Sequence, residues 1–282
     1  MYLHKLRHRC FSLLTPYLLW NLMFLFIIYV GERLVPGWTP IIDKPLVDFS
    51  FSDWLWAFWD TAKIGNQGGL HSPMVLQFWF IRDLMVISLL SPIIYLALKP
   101  LTALREEIPA ILLIALLIVS RWVNDVPGLS FQGLLFFSFG GYFSIRKKSF
   151  TDVMLPLKWV GLFFALFAWQ FECMNLMYAG LIVFVSSVST RVLKKWDTDN
   201  KSRPLFPAFL TRASFFIFAC HTLFTGVFLY LFKTDIINPR NALEGLGIYL
   251  LCPLILLIIG ALFHRLLQKI SPKLTALLTG GR

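Results

Sequence analysis

An almost unbroken apolar run at residues 78 to 98 constrains this chain more than any other feature. As a helix, its 21 residues rise about 31 Å, enough to cross a hydrocarbon core roughly 30 Å thick. Arg82 and Asp83 lie near its start, directly behind three aromatic residues. A charge within a membrane costs about 2.5–3.5 kcal/mol at the helix centre and less near its edge. Arg82 and Asp83 need not pair, so at least one is expected to face a polar cavity or a neighbouring helix. In the alternative, Arg82 only extends toward the lipid headgroups.

Seven more apolar segments predict that the whole chain is a membrane protein. Of its 282 residues, 57% are hydrophobic and 15% are charged, which is too apolar for a soluble domain of this length. We predict an all-α transmembrane helix bundle of about eight spans, forming a single membrane domain over residues 1–282. The other seven predicted spans are 13–30, 108–120, 131–145, 156–170, 174–188, 205–232 and 246–267.

The distribution of charge predicts how these spans are oriented. The net charge is +11, and basic residues of membrane proteins collect on the cytoplasmic side. With the N-terminus inside, 19 of the 26 Lys and Arg residues fall in cytoplasmic segments or on the cytoplasmic sides of the adjoining spans, and six fall in outside segments. The remaining one, Arg82, lies within a span near its outer end. We therefore predict that both termini are cytoplasmic. The expected partner of the basic residues is the lipid bilayer rather than nucleic acid.

The longest loop, residues 31–77, is then an extracytoplasmic aromatic loop. Its piece 51–58 is too short to span a membrane and too apolar for a solvated loop, so it is expected to lie along the interface or to fold back as a lid. Trp54, Trp56 and Trp59 lie between the carboxylates of Asp53 and Asp60. Aromatic faces beside carboxylates suit sugars, whereas a belt of Trp anchors at the membrane surface is the alternative interpretation.

His221 is the unusual histidine of the chain. It lies about nine residues, or roughly 13 Å, beyond Arg212, which places it near the middle of its predicted span. An ionisable group at that depth normally faces the bundle interior and marks a substrate or proton path, although a neutral imidazole bonded to a carbonyl is also compatible. The sequence has no serine-hydrolase, zinc-protease or phosphate-loop motif and its four cysteines lack metal spacing, so no metal is expected.

Four stretches in a fixed order resemble the landmarks of the membrane acyltransferase 3 family, and most closely its branch of polysaccharide and fucose O-acetylases. The stretches are LLTPYLLWNLMFLF behind a basic KLRHR segment, FWFIRDLMVISLLSPIIYLALK, LLFFSFGGYF and SFFIFACHTLF, and the similarity covers nearly the whole chain. The resemblance implies a bundle in the bacterial inner membrane that moves an acetyl group from cytoplasmic acetyl-CoA to a hydroxyl of a cell-surface or lipid-linked sugar. The competing hypothesis is a non-catalytic partner in glycan or lipid export.

The resemblance also assigns candidate site residues. The basic residues Lys5, Arg7 and Arg9 stand where the phosphates of acetyl-CoA would arrive, with Arg9 matching the family's basic position before Pro-Tyr. Arg82 and His221 match family positions in the second and last of the four stretches and are the candidate catalytic residues.

One departure from the family pattern concerns the N-terminus. In the family, two further helices precede the basic segment, and the first of them carries the histidine regarded as the catalytic base. Here the basic segment opens the sequence, so these two helices are expected to be lacking. None of the five histidines corresponds to that base.

Overall fold

The computed structural model describes residues 6–7, 9–34, 42–66, 71–199, 208–234 and 236–281. Over these residues the chain is helical, with two isolated bridges and no β-strand, which confirms the all-α prediction. The described part contains twelve α-helices: α1 (Thr15–Leu34), α2 (Phe51–Trp59), α3 (Trp79–Leu89), α4 (Ser91–Leu101), α5 (Glu107–Val119), α6 (Phe131–Arg146), α7 (Phe150–Met154), α8 (Lys158–Gln170), α9 (Met174–Asp199), α10 (Ala208–Lys233), α11 (Ala242–Ile270) and α12 (Pro272–Thr279).

Five helical stretches of the described chain are long and apolar enough to cross a membrane: Phe11–Leu34, Phe150–Gln170, Met174–Trp196, Ala208–Phe232 and Ala242–Ile270. The bent pair α3 and α4 would make a sixth. Two further predicted spans, 108–120 and 131–145, form α5 and α6, which have only 13 and 16 residues. A perpendicular helical crossing needs about 20 residues. The helices thus support a multi-pass membrane protein.

The run at 78–98 is not the continuous helix that the sequence predicted. It is broken between α3 and α4, whose axes differ in direction by 68°. The cause is Pro92, the second residue of α4, because proline lacks an N–H and its ring clashes with the preceding turn. The carbonyl of Ser88 would accept the missing N–H bond, and the Ser91 hydroxyl donates to it instead, at 2.8 Å.

The first compact unit of the chain combines Met1–Met85 with Phe206–Arg282. Its core is aromatic, and Trp20, Phe78 and Phe216 are almost fully buried. The Trp20 ring meets Phe216 edge-on at 5.3 Å, and its Nε1 donates to the carbonyl of Leu278 at 3.0 Å. Because Trp20 lies on α1 and Leu278 on α12, this bond attaches the C-terminal helix to α1.

The second unit is Val86–Leu205. Its closest helix pair is α8 with α9, which approach each other at Gly161 and Gly180. A Cβ atom added at Gly180 would lie 2.5 Å from the carbonyl oxygen of Gly161, so only glycine allows this approach. Glu106, just before α5, accepts from Lys148 and pairs with Arg146 at 3.1 Å, which connects the start of α5 to the end of α6.

Candidate active site

The chain after α1 folds back along that helix. We call residues 42–66 and 71–78 the return segment. Near one end of α1, the Glu32 carboxylate accepts from the backbone N–H of Leu46 at 3.2 Å. Near the other end, the Tyr17 hydroxyl donates to the carbonyl of Phe58. Glu32 and Tyr17 are 15 residues apart, or about 22 Å along a helix. The return segment therefore covers much of the length of α1.

Helix α2 begins inside the return segment because of a complete capping box. The Ser50 hydroxyl accepts from the N–H of Asp53, and the Asp53 carboxylate accepts from the N–H of Ser50 at 2.7 Å. Lys44 also donates to this carboxylate at 2.6 Å. These bonds, led by the one from Lys44, lower the pKa of Asp53 to about 2. The charge of Asp53 also suits the N-terminal end of the α2 dipole.

Backbone hydrogen bonds join the two limbs of the return segment. The N–H of Met74 donates to the carbonyl of Ala57, and the N–H of Thr61 donates to the carbonyl of Ser72, both at 2.8 Å. A second bond to the Ser72 carbonyl comes from the Thr61 hydroxyl at 2.9 Å. The limb that ends α2 and the limb that leads into α3 are therefore fixed against each other.

Arg82 lies buried on α3 with an exposure of only 3%. Its Nε and its NH2 group both lie 3.0 Å from one carboxylate oxygen of Asp83, so the two neighbours do pair. The NH1 group donates to two carbonyls of the return segment, those of Trp59 at 2.5 Å and His71 at 3.3 Å. The guanidinium also lies 5.5 Å from the centre of a Trp59 ring. Arg82 thus holds both limbs of the return segment against α3.

A carboxylate–histidine pair lies between the same two limbs. Nδ1 of His71 is 3.1 Å and 3.3 Å from the two carboxylate oxygens of Asp60. The Asp60 side chain is 1% exposed, whereas the His71 side chain is 61% exposed. One oxygen of Asp60 also accepts from the N–H of Ala62 at 3.2 Å. The pair therefore has a buried acidic side and an open imidazole side.

His221 is half-buried on α10 and has a different kind of partner. Its Nδ1 lies 2.7 Å from the carbonyl of Phe218, one turn earlier in the same helix. The same carbonyl accepts from the side-chain amide of Gln77 at 3.1 Å, which also donates to the carbonyl of Ala219 at 2.8 Å. Gln77 thus attaches the end of the return segment to α10. Among the described contacts, none joins His221 to Arg82 directly.

The model of one protein family, described as an acyltransferase domain, matches residues 1–265. This chain belongs to the acyltransferase 3 family. Membership supports acyltransferase activity in a multi-pass membrane protein. Neither a curated protein nor a solved structure matches the chain.

The basic residues Lys5, Arg7 and Arg9, which we call the cationic arm, precede α1 in the sequence. The side chains of Arg7 and Arg9 are exposed. Lys5, the third residue predicted for the arm, lies outside the described residues. Arg7 and Arg9 of the arm are exposed, whereas Arg82 and Asp83 are buried on α3.

Three buried polar atoms of the acyltransferase have no hydrogen-bond partner within the described chain. They are Ser72 Oγ, Gln77 Oε1 and Thr222 Oγ1. Ser72 follows His71 directly, Gln77 belongs to the return segment, and Thr222 follows His221. Buried polar groups are nearly always paired, so an unpaired group in a native protein points to a water or a ligand.

Sequence reasoning found Arg82 and His221 but missed the pair of His71 with Asp60. The two residues are 11 positions apart in an irregular loop, where no helical or strand period relates them. The one feature of the sequence that could have indicated this pair is that both residues lie in a loop rich in acidic and aromatic residues.

Proposed function

We propose that this protein is a membrane O-acyltransferase that moves an acetyl group from acetyl-CoA, bound at the cytoplasmic face, to a hydroxyl of a cell-surface or lipid-linked sugar. In this proposal it lies in the bacterial inner membrane with both termini in the cytoplasm. About eight spans cross the membrane, and the shorter helices α5 and α6 form two of them.

One observation supports a reaction site in the first unit: a charged cluster is buried among apolar helices. Arg82 and Asp83 are each 3% exposed, and Asp60 is fully buried. Burying charges costs several kcal/mol per ion before pairing, so ionisable groups in such places usually serve a substrate or a proton path. The cluster lies within the unit that also carries the cationic arm.

The return segment suggests how acetyl-CoA and an acceptor sugar, approaching from opposite sides of the membrane, could meet. It enters near Glu32, at the end of α1 that the proposal places outside, and reaches Phe58 beside Tyr17. A sugar hydroxyl could follow this polar segment inward. Acetyl-CoA would approach from the other end of α1, where Arg7 and Arg9 supply positive charge for its phosphates.

The hydrogen bonds of Arg82 and His221 restrict the role that each residue can have in the proposed reaction. Each nitrogen of the Arg82 side chain already has a protein partner, so we assign it to hold the return segment rather than to bind substrate. Nδ1 of His221 is the donor to Phe218, which leaves Nε2 to accept a hydrogen bond from an acceptor hydroxyl.

Sided membrane vesicles test the function. Vesicles come from the source bacterium with its own gene deleted, with and without a plasmid copy, and therefore carry the native acceptors. Inverted vesicles expose the cytoplasmic face, and radiolabelled acetyl-CoA does not cross membranes. We expect label in the glycan or lipid-linked sugar fraction only in inverted vesicles that contain the protein. Equal labelling with and without the plasmid would favour a non-catalytic partner in export.

A further inference from the structure

We propose that His71, oriented by the buried carboxylate of Asp60, is the base that takes the proton from the acceptor hydroxyl. The inference rests on the proposed acyl transfer and adds a base to it. Neither residue belongs to the landmarks that relate the chain to its family.

The geometry fixes which nitrogen of His71 can act. Nδ1 lies within 3.1 Å and 3.3 Å of two oxygens that can only accept when ionised, so Nδ1 carries the proton and donates it to Asp60. Nε2 then keeps its lone pair as an acceptor. Because the imidazole side chain is 61% exposed, it is accessible to an incoming molecule.

The carboxylate contributes more than orientation. When Nε2 takes a proton, the ring becomes an imidazolium, and the negative charge of Asp60 at hydrogen-bond distance stabilises it. The Asp60 side chain is 1% exposed, so few contacts with water compete for its carboxylate. A carboxylate behind a histidine is the arrangement by which many enzymes hold a general base in its reactive tautomer.

The pair is held rigidly from both sides. Thr61 donates twice to the carbonyl of Ser72, so that the neighbours of Asp60 and His71 are joined directly. Arg82 donates to the carbonyls of Trp59 and His71, on the other side of the pair. Arg82 is therefore a positioning residue, and its buried charge has a purpose in the proposed reaction.

The other described histidines lack this arrangement. His221 has a carbonyl behind its Nδ1, and a neutral carbonyl stabilises an imidazolium less than a carboxylate does. His264 is 4% exposed, and its ring centre lies 5.5 Å from that of Phe216. Within the part of the chain that the structure describes, His71 alone combines an open ring with a carboxylate partner.

The proposed step conserves atoms and charge. The hydroxyl oxygen of the acceptor attacks the thioester carbonyl carbon as its proton passes to Nε2 of His71. A carbon–oxygen bond forms, and the carbon–sulfur bond breaks. The thiolate of coenzyme A leaves and takes up the proton from His71, either directly or through water. Ester and free thiol are the products, and His71 returns to its starting state.

The unpaired Ser72 hydroxyl supports an acceptor site here. Its oxygen is buried, follows His71 in the chain and has no partner among the described residues. A sugar presents several hydroxyls, so one could bond to Ser72 while its neighbour reaches Nε2. Burial of a hydroxyl without a partner is unfavourable, and such a contact would relieve it.

Three variants and one control test the inference in the inverted vesicles with labelled acetyl-CoA. His71→Ala and His71→Gln remove the base, and Asp60→Asn replaces the carboxylate by an amide. Asp48→Asn is the control, because Asp48 is an exposed carboxylate of the same loop. Protein level in the membrane and thermal unfolding in detergent are measured for each variant. His71→Ala is also assayed with added imidazole, since a small base can replace a missing basic side chain but cannot repair a fold.

We expect both His71 variants to lose about 10²–10⁴-fold in transfer rate at saturating acetyl-CoA, with unchanged thermal unfolding. Imidazole should restore part of the rate of His71→Ala, Asp60→Asn should lose at least about tenfold, and Asp48→Asn should match the wild type. His71→Ala within twofold of the wild-type rate, or a loss that imidazole does not relieve, would overturn the assignment of the base while leaving acyl transfer intact. A wild-type protein that transfers no label would overturn both.

Discussion

At the scale of single residues, Arg82 combines three hydrogen bonds and an ion pair with almost complete burial. We predict that Arg82→Lys lowers acetyl transfer by about 10- to 100-fold and lowers the melting temperature in detergent. A lysine ammonium keeps the charge but cannot reach Asp83, Trp59 and His71 together, because it lacks the planar fork of guanidinium. A displacement of the return segment by about 1 Å suffices for such a loss of rate. Transfer in vesicles and thermal unfolding measure the two effects.

Arg33→Lys is the matched control for Arg82→Lys. Arg33 is exposed at the end of α1, and its guanidinium lies 5.3 Å from the ring centre of Tyr29. The same substitution there should change neither transfer nor unfolding, since lysine also extends along a surface and stacks on an aromatic ring. Equal behaviour of the two variants would mean that Arg82 only anchors the helix at the headgroups.

Substitution of His221 tests whether this residue binds the acceptor hydroxyl or takes up its proton. We predict that His221→Gln lowers transfer by less than about tenfold, well below the loss at His71→Ala. A glutamine amide can still donate to the carbonyl of Phe218 or offer an oxygen to an acceptor hydroxyl, but it cannot take up a proton. Rates at saturating acetyl-CoA provide the comparison. A loss of 10³-fold at His221 with little change at His71 would exchange the two roles.

Candidate site residues could be predicted from the sequence only where the energetic cost of burying them was evident. Arg82 and His221 interrupt apolar runs, so the price of burying them is evident from their neighbours alone. Asp60 and His71 lie in a loop that also contains other polar residues. The sequence of the loop does not show that the fold buries the Asp60 carboxylate, so the energetic cost of that burial is not evident from the neighbouring residues. Their pairing depends on the hydrogen bonds between 57–61 and 71–74, which no periodic pattern encodes.

At the scale of helices, the contact between α8 and α9 gives a direct test of packing. We predict that Gly180→Ala destabilises the protein by about 1–3 kcal/mol, because the new Cβ would lie 2.5 Å from the carbonyl oxygen of Gly161 and 2.8 Å from the backbone nitrogen of Ala165. Backbone atoms cannot move aside without separating the helices. Thermal unfolding in detergent, followed by circular dichroism, measures the change.

Gly140→Ala serves as the control for this packing test. Gly140 lies on α6 in the same unit, and a Cβ added there meets nothing within 4 Å. Alanine has the higher helix propensity, so this variant should be neutral or more stable by up to about 1 kcal/mol. A comparable loss at both positions would show that the approach to Gly161 does not determine the result, because helix propensity by itself favours alanine over glycine.

The helices themselves were largely predictable, and their bends and returns were less so. Apolar runs identify the spanning helices because every backbone group in a membrane must be paired within its own segment. Pro92 within the run at 78–98 was a visible signal for the break between α3 and α4, but the apolar character on both sides concealed it. The fold-back of the return segment follows from single tertiary bonds, such as Tyr17 to Phe58, which leave no sequence pattern.

For the whole molecule, the decisive prediction is orientation. We predict that tags after Arg282 and within residues 194–203 are cytoplasmic, whereas a tag between Lys44 and Asp48 is exposed outside. The bias of basic residues is the reason: 19 of 26 lie in the segments assigned to the cytoplasm or on the cytoplasmic sides of the adjoining spans, and positively charged loops are retained on that side. Protease digestion of the tags in right-side-out and inverted vesicles reads out all three positions.

The tag near Lys44 also tests how the site is reached. Leu46 bonds to Glu32 at the end of α1, so this part of the return segment reports the side from which the polar path enters. An outside position would give the acceptor sugar a route along the return segment to His71, opposite the arm that carries Arg7 and Arg9. A tag at 44–48 that is digested only in inverted vesicles would invert the span assignment. The donor and the acceptor would then have to enter from the sides opposite to those proposed.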